Sequence, residues 1–221
     1  EEGVPGCISQ GISKEAASEI YDNMMDFAKY AFNKSHAACY AVVAYQTAYL
    51  KYYYPVEFMA ALMTSVMDNA AKVSGYVEEC KKMGIQLLPP DINEGYKQFS
   101  VSDGKIRFAL AAIKSVGRGA VDALVREREK KGPYTSLTDF CNRMEGGEWN
   151  KRGIESLIKA GAMDSFGGFR SQYMLIYKNI LDGIGQARKN NIEGQLNLFD
   201  LGGNDDTFQQ KDELPDIPEF L

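Results

Sequence analysis

The sequence predicts a mainly α-helical protein with a small β element and a flexible acidic tail. Three observations carry this prediction. Apolar residues recur at helical spacing through most of the chain, short strand-like runs bounded by Gly and Pro occur only near residues 85–108, and residues 191–221 are polar and acidic. With 221 residues, 45% of them hydrophobic, the chain can form one large or two small packed cores.

Four helices are predicted before residue 85. Ser13 and Asn69 supply the side-chain acceptor that a first turn needs, and Pro55 suits the first turn of the third helix. The second helix is apolar on nearly every face, which indicates burial among other helices. The four helices are expected to follow Ser13, to cover about 35–54, to run from Pro55 to about Met67, and to lie between Asn69 and Gly84.

A compact β element and a run of short helices follow. Ser102-Asp103-Gly104 separates two short apolar runs, a typical hairpin signal, and a short strand is expected at 85–88. Ser136 and Asn150 can each cap a later helix, with Asp139 placed for a reciprocal cap. The later helices are predicted at 110–116, 120–131, 137–144, 151–160 and 170–189.

The spacing of the cysteines, the single histidine and the length of the apolar runs exclude several kinds of site and a membrane span. The four cysteines form no C-x-x-C motif, so neither a structural zinc site nor a dithiol redox motif is predicted, and reduced thiols are expected. His36 is the only histidine, which excludes a multi-histidine metal site. The longest apolar run, 37–50, is too short to span a bilayer. We therefore expect no membrane association and a cytoplasmic location.

The formal net charge of −5 does not exclude nucleic acid, because the charge is unevenly distributed. Residues 191–221 hold eight acidic residues and only one basic residue, Lys211. Residues 105–131 hold eight basic and three acidic residues. A basic segment and a separate acidic tail have different partners from a uniformly acidic protein.

The first candidate site is Phe32-Asn33-Lys34-Ser35-His36, between the first two helices. A helix N-terminus concentrates unpaired amide donors, and Lys34 and His36 add donors beside it. Such a turn suits a phosphate or a triphosphate. The alternative is a capping turn with a hydrogen-bonded histidine.

The second candidate site is the segment 112–120, which contains Gly117-Arg118-Gly119 between two short helices. Its glycines allow close backbone approach to another molecule, and Lys114 and Arg118 can flank a DNA phosphate. This is the chemistry of a helix-hairpin-helix element, which binds the DNA backbone independently of base sequence. The alternative is a plain turn between packed helices.

The third candidate site is Gly194-Gln195-Leu196-Asn197-Leu198-Phe199-Asp200, within the polar tail. Three large apolar side chains lie where no core is expected, which favours docking into a pocket of a partner. The Gln195 amide can orient that contact. The alternative is that Leu198 and Phe199 fold back on the parent domain.

These three sites occur together, in this order, in one family. The sequence resembles the C-family replicative DNA polymerases of bacteria, the family of the DNA polymerase III alpha subunit. Arg118 departs from the pattern, since that family commonly has an acid there. The matching stretches are YAFNKSHAACY at 30–40, YQTAYLK at 45–51, YPVEFMAA at 54–61, LPPDIN at 88–93, AIKSVG at 112–117 and LIKAGAMD at 157–164.

The resemblance implies three regions. Residues 1–108 correspond to the later part of a fingers domain with the small β element, 109–190 to a tandem helix-hairpin-helix domain, and 191–221 to a flexible tail with a clamp-binding motif. The residues implied to contact the incoming dNTP are Asn33, Lys34, Ser35, His36 and Tyr40. Those expected to bind DNA are Lys114, Gly117, Arg118 and Gly119, and those implied to bind the clamp are Gln195, Leu196, Asn197, Leu198 and Phe199.

The implied partners are primer–template DNA, the incoming dNTP, the sliding clamp (beta subunit) and other subunits of the replicase holoenzyme. In that family, catalytic carboxylates in a palm domain hold two magnesium ions, and no equivalent acidic cluster is visible here. We therefore expect no catalytic residue, metal ligand or cofactor in this chain, and Mg²⁺ only in the palm of a full-length polymerase. The chain begins with Glu1-Glu2, without methionine, which suggests a piece of a longer protein. Because the palm carboxylates are not seen, we interpret it as a non-catalytic polymerase segment that is inactive alone.

Two other functions fit parts of the sequence. A free-standing, non-catalytic accessory protein would also bind DNA and the clamp, but it would have no upstream palm with paired aspartates. A hydrolase could use Ser35 or Cys39 with His36. Neighbouring positions on one turn leave no third group to orient the histidine, and no G-x-S-x-G motif occurs.

Overall fold

A computed structural model of the chain describes residues 6–30, 33–144, 149–190 and 212–219. These residues form two compact units, one within 1–53 and one within 54–221. The described ranges contain eight α-helices and one three-stranded sheet. The predicted fold class, mainly α with a small β element, is therefore confirmed.

The first unit consists of two long helices after a short 3-10 turn at Cys7–Gln10. Helix α1 spans Lys14–Tyr30 and helix α2 spans Lys34–Tyr53. As predicted, the Ser13 hydroxyl caps α1 by accepting a bond from the Ala16 amide at 3.2 Å. No residue within 6–28 or 33–53 is buried. The burial predicted for α2 is not found in the described residues, because two helices alone leave most of each helix uncovered.

The second unit begins with helices α3, Pro55–Ser65, and α4, Ala70–Lys82. The Asn69 side chain caps α4 by accepting a bond from the Lys72 amide at 3.0 Å. Gly84 ends that helix region with φ of 72°, a left-handed conformation that glycine adopts without steric cost. Both features agree with the sequence prediction.

A small sheet follows, made of β1 (Leu87–Leu88), β2 (Ser100–Ser102) and β3 (Lys105–Arg107). The central strand β3 pairs in parallel with β1 and antiparallel with β2. The sheet packs against α3, α3 packs against α4, and together they enclose a first hydrophobic core. Its most deeply buried members are Met59, Met63, Cys80, Ile106 and Ala109.

Four more helices form the second core of this unit. One expected helix is absent: residues 110–116 form only a 3-10 turn at Leu110–Ala112. Ser115 has φ of 68°, and this left-handed residue is incompatible with a continuous α-helix. The helices are α5 (Arg118–Lys131), α6 (Leu137–Arg143), α7 (Lys151–Lys159) and α8 (Arg170–Asn190).

Helices α5 to α8 bury a contiguous apolar cluster that includes Leu124, Phe140, Leu157 and Tyr173. Ser136 and Asn150 cap α6 and α7 as predicted, accepting bonds from the amides three residues later at 3.0 Å and 2.8 Å. These local caps set the starts of the two short helices, and burial of the apolar faces stabilises them.

Residues 212–219, which the sequence analysis includes in the tail, lie against this second core. The Asp212 carboxylate accepts bonds from the Leu137 and Thr138 amides at 2.7 Å and 3.0 Å. Leu214 packs against the core cluster. The side chains of Gln172 and Ser171 on α8 donate to the carbonyls of Pro215 and Pro218. This segment therefore joins the first turn of α6 to the first turn of α8.

Candidate nucleic-acid interface

The turn before α5, termed here the first hairpin (residues 113–120), presents open backbone donors. Gly117 is the N-cap residue of α5, and no side chain caps the helix. The first helical bond runs from the Val121 amide to the Gly117 carbonyl, at 3.1 Å. Within the described ranges, the amides of Arg118, Gly119 and Ala120 have no hydrogen-bond acceptor. These donors and the helix dipole together favour an anion at this position.

The shape of the first hairpin is fixed by buried residues on its inner side. Ile113 and Val116 are buried in the second core and Ala120 is also buried, whereas Lys114, Ser115, Gly117 and Arg118 are exposed. The Val116 amide donates to the Ile113 carbonyl at 3.2 Å, which closes the turn. The apolar residues therefore anchor the loop and leave its polar side in solvent.

The two basic side chains of the first hairpin differ in their surroundings. Lys114 is exposed, and no acidic residue of the described ranges pairs with it. Arg118 is also exposed, but its Nη2 atom donates to both carboxylate oxygens of Asp68, at 2.9 Å and 2.8 Å. Lys114 is thus available to an external anion, while Arg118 already has an acidic partner.

The second hairpin (residues 159–164), between α7 and a 3-10 turn at Asp164–Phe166, has a different character. The amides of Gly161, Ala162 and Asp164 donate to the carbonyls of Ile158, Leu157 and Gly161. The Arg170 guanidinium covers Gly161 and donates to the Asp164 carboxylate. These amides are therefore satisfied within the protein, and the surface beside them is occupied by an internal ion pair.

The loop between β1 and β2 forms hydrogen bonds both with α5, which follows the first hairpin, and with the second hairpin. Arg128 of α5 is buried, and its Nη1 atom donates to the carbonyls of Ile92 and Gly95 at 2.8 Å and 2.9 Å. The Ile92 amide in turn donates to the Ala162 carbonyl in the second hairpin, at 2.9 Å. Sequence reasoning did not identify Arg128, because it lies in a basic run that resembles a solvated helix face.

The predicted nucleotide turn lies at the start of α2. The Asn33 side-chain oxygen accepts bonds from the Ser35 and His36 amides, at 2.9 Å and 3.4 Å. Asn33 therefore caps the helix, and two of the amides expected to face a phosphate are occupied. The donors left at this turn include the side chains of Lys34, Ser35 and His36, all of which are exposed.

Tyr40, the fifth residue assigned to this turn, contacts the histidine. The rings of His36 and Tyr40 lie 4.4 Å apart between centroids, inclined at 51°. They are one helical turn apart on the same face of α2. The structure thus brings together the histidine and the tyrosine that the resemblance places at the nucleotide, on an exposed surface of the first unit.

The predicted clamp motif, residues 195–199, lies outside the residues that the structure describes. Within the described residues, no group of three or more His, Cys, Asp or Glu side chains is arranged to hold a metal ion. None of the helices in those ranges is long and apolar enough to cross a membrane.

Comparison with known proteins first defines the class of the second unit. Residues 84–173 match the family model described as the helix-hairpin-helix motif. That range includes both hairpins, the β3 strand and the first residues of α8. The predicted helix-hairpin-helix region is therefore present, and it contains the open amide donors of the first hairpin.

Most of the chain is similar to proteins named DNA polymerase III subunit alpha. The chain is 44% identical to the subunit of Saccharopolyspora erythraea over 95% of this chain, 43% identical to that of Vibrio cholerae over 97%, and 45% identical to that of Escherichia coli K12 over 88%. The chain covers only 17–19% of the length of these relatives. It thus matches a segment of that subunit, and the resemblance found in its motifs is confirmed.

Proposed function

We propose that this chain is the part of a bacterial replicative DNA polymerase that holds duplex DNA, contacts the incoming dNTP and docks on the sliding clamp. The observation that carries this proposal is the 43–45% identity to DNA polymerase III alpha subunits over nearly the whole chain. Template-directed synthesis is proposed for the whole polymerase, with its Mg²⁺ ions held by a palm domain. The other replicase subunits would be partners of that assembly.

Duplex binding is assigned to the first hairpin. Within the described ranges, the amides of Arg118, Gly119 and Ala120 have no acceptor at this positive helix end, and the exposed Lys114 belongs to the same hairpin. Such a site binds a phosphate of the DNA backbone without reading the bases. The second hairpin supports the framework instead, because its amides are bonded internally.

Contact with the dNTP is assigned to the side chains at the start of α2. Since Asn33 occupies the Ser35 and His36 amides, the triphosphate would be held by Lys34, Ser35 and His36. Tyr40 would position the imidazole of His36 through the ring contact. This assignment uses charge-assisted hydrogen bonds, which are about twice as strong as neutral ones.

Clamp docking is assigned to Gln195–Phe199. Leu196, Leu198 and Phe199 are apolar anchors in a polar and acidic stretch, and the Gln195 amide can orient them. Burial of one leucine or phenylalanine side chain contributes about 1.5–3 kcal/mol. A peptide that contains Gln195–Phe199 therefore has enough apolar surface for micromolar binding, after the cost of ordering the peptide is subtracted.

The duplex-binding proposal is tested with the 221-residue chain and two duplexes of about 20 base pairs with unrelated sequences. Lys114→Ala should weaken binding to both duplexes by about two- to fivefold. It should also reduce the slope of log affinity against log salt by about one. Lys159→Ala, at the first residue of the second hairpin and paired with Glu155, is the control and should change neither quantity. Equal effects of the two substitutions would refute the assignment to the first hairpin.

A further inference from the structure

An acidic residue, Asp68, lies beside the first hairpin. Asp68 lies in the turn between α3 and α4, fifty residues before Arg118 in the chain. Its carboxylate accepts two bonds from the Arg118 guanidinium, at 2.9 Å and 2.8 Å. The side chains of Asp68 and Arg118 are 86% and 57% exposed, so both are within reach of a large ligand.

The position of Asp68 is fixed by its neighbours. Met67 is buried in the first core, and the Asn69 amide donates to the Val66 carbonyl at 2.8 Å. Asn69 also caps α4. The backbone on both sides of Asp68 is therefore held, and the carboxylate lies against the Arg118 guanidinium at the first turn of α5.

We infer that Asp68 limits the affinity of the first hairpin for duplex DNA by occupying Arg118 as a substitute for a backbone phosphate. This inference rests on the proposed function of the hairpin. A carboxylate and a phosphate offer the same paired oxygen acceptors to a guanidinium group, so only one of them can take the full set of donors. Because Asp68 occupies the Nη2 atom, DNA must displace Asp68 to use the guanidinium as a two-nitrogen fork, or bind only through the donors that remain.

Competition for Arg118 and simple charge repulsion predict different effects of removing the Asp68 charge on DNA affinity. Asp68 also carries a negative charge close to the proposed DNA path, and removal of that charge alone would strengthen binding. The effect of repulsion does not require Arg118. The effect of competition disappears when Arg118 is absent, so a double-mutant cycle separates the two.

The experiment measures the affinity of the 221-residue chain for a duplex of about 20 base pairs at about 0.1 M salt. Asp68→Asn keeps the shape of the side chain and should tighten binding by about two- to fivefold, the range set by an exposed ion pair. In an Arg118→Ala background, the same substitution should tighten binding much less, because only the repulsion by the Asp68 charge is then removed. Thermal unfolding of each variant checks that the fold is intact.

Glu78→Gln is the matched control. Glu78 also forms an exposed ion pair, with Lys81 at 2.8 Å, but lies about 13 Å further along α4 than the cap residue Asn69. It should not alter binding. No change with Asp68→Asn, or equal tightening with and without Arg118, would overturn the inference while leaving the proposed function in place. If Lys114→Ala leaves binding unchanged, the proposed DNA site is wrong and the inference fails with it.

Discussion

Arg128 and Arg143 are arginines whose guanidinium groups bind protein carbonyls rather than solvent. Arg143 donates to the carbonyls of Glu127, Gly132 and Pro133, and Arg128 donates to those of Ile92 and Gly95. Each guanidinium lies over a tyrosine ring, at 4.2 Å for Arg143 and 5.0 Å for Arg128. Part of the positive charge of this region is therefore structural, and the surface offered to DNA is less basic than the sequence count indicates.

Replacement of Arg128 tests this structural role. Arg128→Lys keeps the charge but cannot donate to two carbonyls in the same geometry. We expect a loss of about 1.5–3 kcal/mol in the free energy of unfolding, the range for hydrogen bonds to charged groups. Urea denaturation measures this loss. Arg126→Lys, at an exposed position on the same helix, is the control and should be nearly neutral, so similar losses in both variants would contradict the proposed role.

Two buried acidic protons predict how stability responds to alkaline pH. Burial raises the pKa of Tyr134 from 10.0 to about 12, and burial, with a smaller contribution from the Asp212 carboxylate, raises the pKa of Cys141 from 9.0 to about 12. In the unfolded chain both groups ionise at the lower values. The unfolded state therefore loses protons first, and stability that is fully present below about pH 8 is lost as the pH rises towards 12.

The free energy of unfolding should therefore fall between about pH 8 and about pH 10.5 in urea titrations. Tyr134→Phe removes one of the two groups and should make this fall less steep, although it also removes the hydrogen bond to the Leu124 carbonyl at every pH. The slope against pH is thus the informative quantity, not the absolute stability. An unchanged slope in Tyr134→Phe would show that the tyrosine does not contribute.

Among the helices, α6 depends on a residue from the far end of the chain. Ser136 satisfies the Asp139 amide, and the Asp212 carboxylate satisfies those of Leu137 and Thr138. Asp212→Ala should leave two amides at a partly buried helix end without this acceptor. The expected loss in unfolding free energy is about 1–2 kcal/mol, measured by urea denaturation.

Asp216→Ala provides the control for Asp212, because Asp216 is an exposed acid in the same docked segment. It has the same effect on net charge but should leave stability nearly unchanged. If both variants lose the same stability, the effect arises from charge or from the segment as a whole, and the capping role of Asp212 is wrong.

The starts of the helices could be predicted from the sequence, whereas the contacts between distant segments could not. Ser13, Asn69, Ser136 and Asn150 each bond an amide three residues later, so the signal and its consequence lie within one turn. The helix predicted at 110–116 does not form, because Ser115 has a left-handed backbone conformation. The spacing of the apolar residues gives no sign of that conformation.

The same reasoning applies to the candidate site. Lys114 and the glycines of the first hairpin are adjacent in sequence, and their grouping could be predicted from spacing alone. The Arg118–Asp68 pair spans fifty residues and the Asp212 contacts with α6 span about seventy-five, so only the packing of the domain brings these groups together. The clamp motif at 195–199 stays a prediction from its residues and from the resemblance.

Across the molecule, the second unit combines a supporting framework with one open anion site. Arg128 of α5 donates to the Ile92 carbonyl, and the Ile92 amide donates to the Ala162 carbonyl of the second hairpin. The helix that follows the first hairpin is thereby connected to the second hairpin. Of the two hairpins, only the first leaves several amides of a long helix unbonded within the described residues. The proposed DNA contact at that hairpin, and not at the other, would distinguish this arrangement from two equivalent binding turns.

Amide chemical shifts of the ¹⁵N-labelled 221-residue chain, recorded during titration with a short duplex, distinguish these possibilities at single residues. The largest changes should occur at the amides of Arg118, Gly119 and Ala120, because a phosphate oxygen would accept bonds from them. The internally bonded amides of Gly161, Ala162 and Asp164 should change little. Larger changes at the second hairpin, or none at residues 118–120 when the duplex is saturating, would contradict binding through the first hairpin.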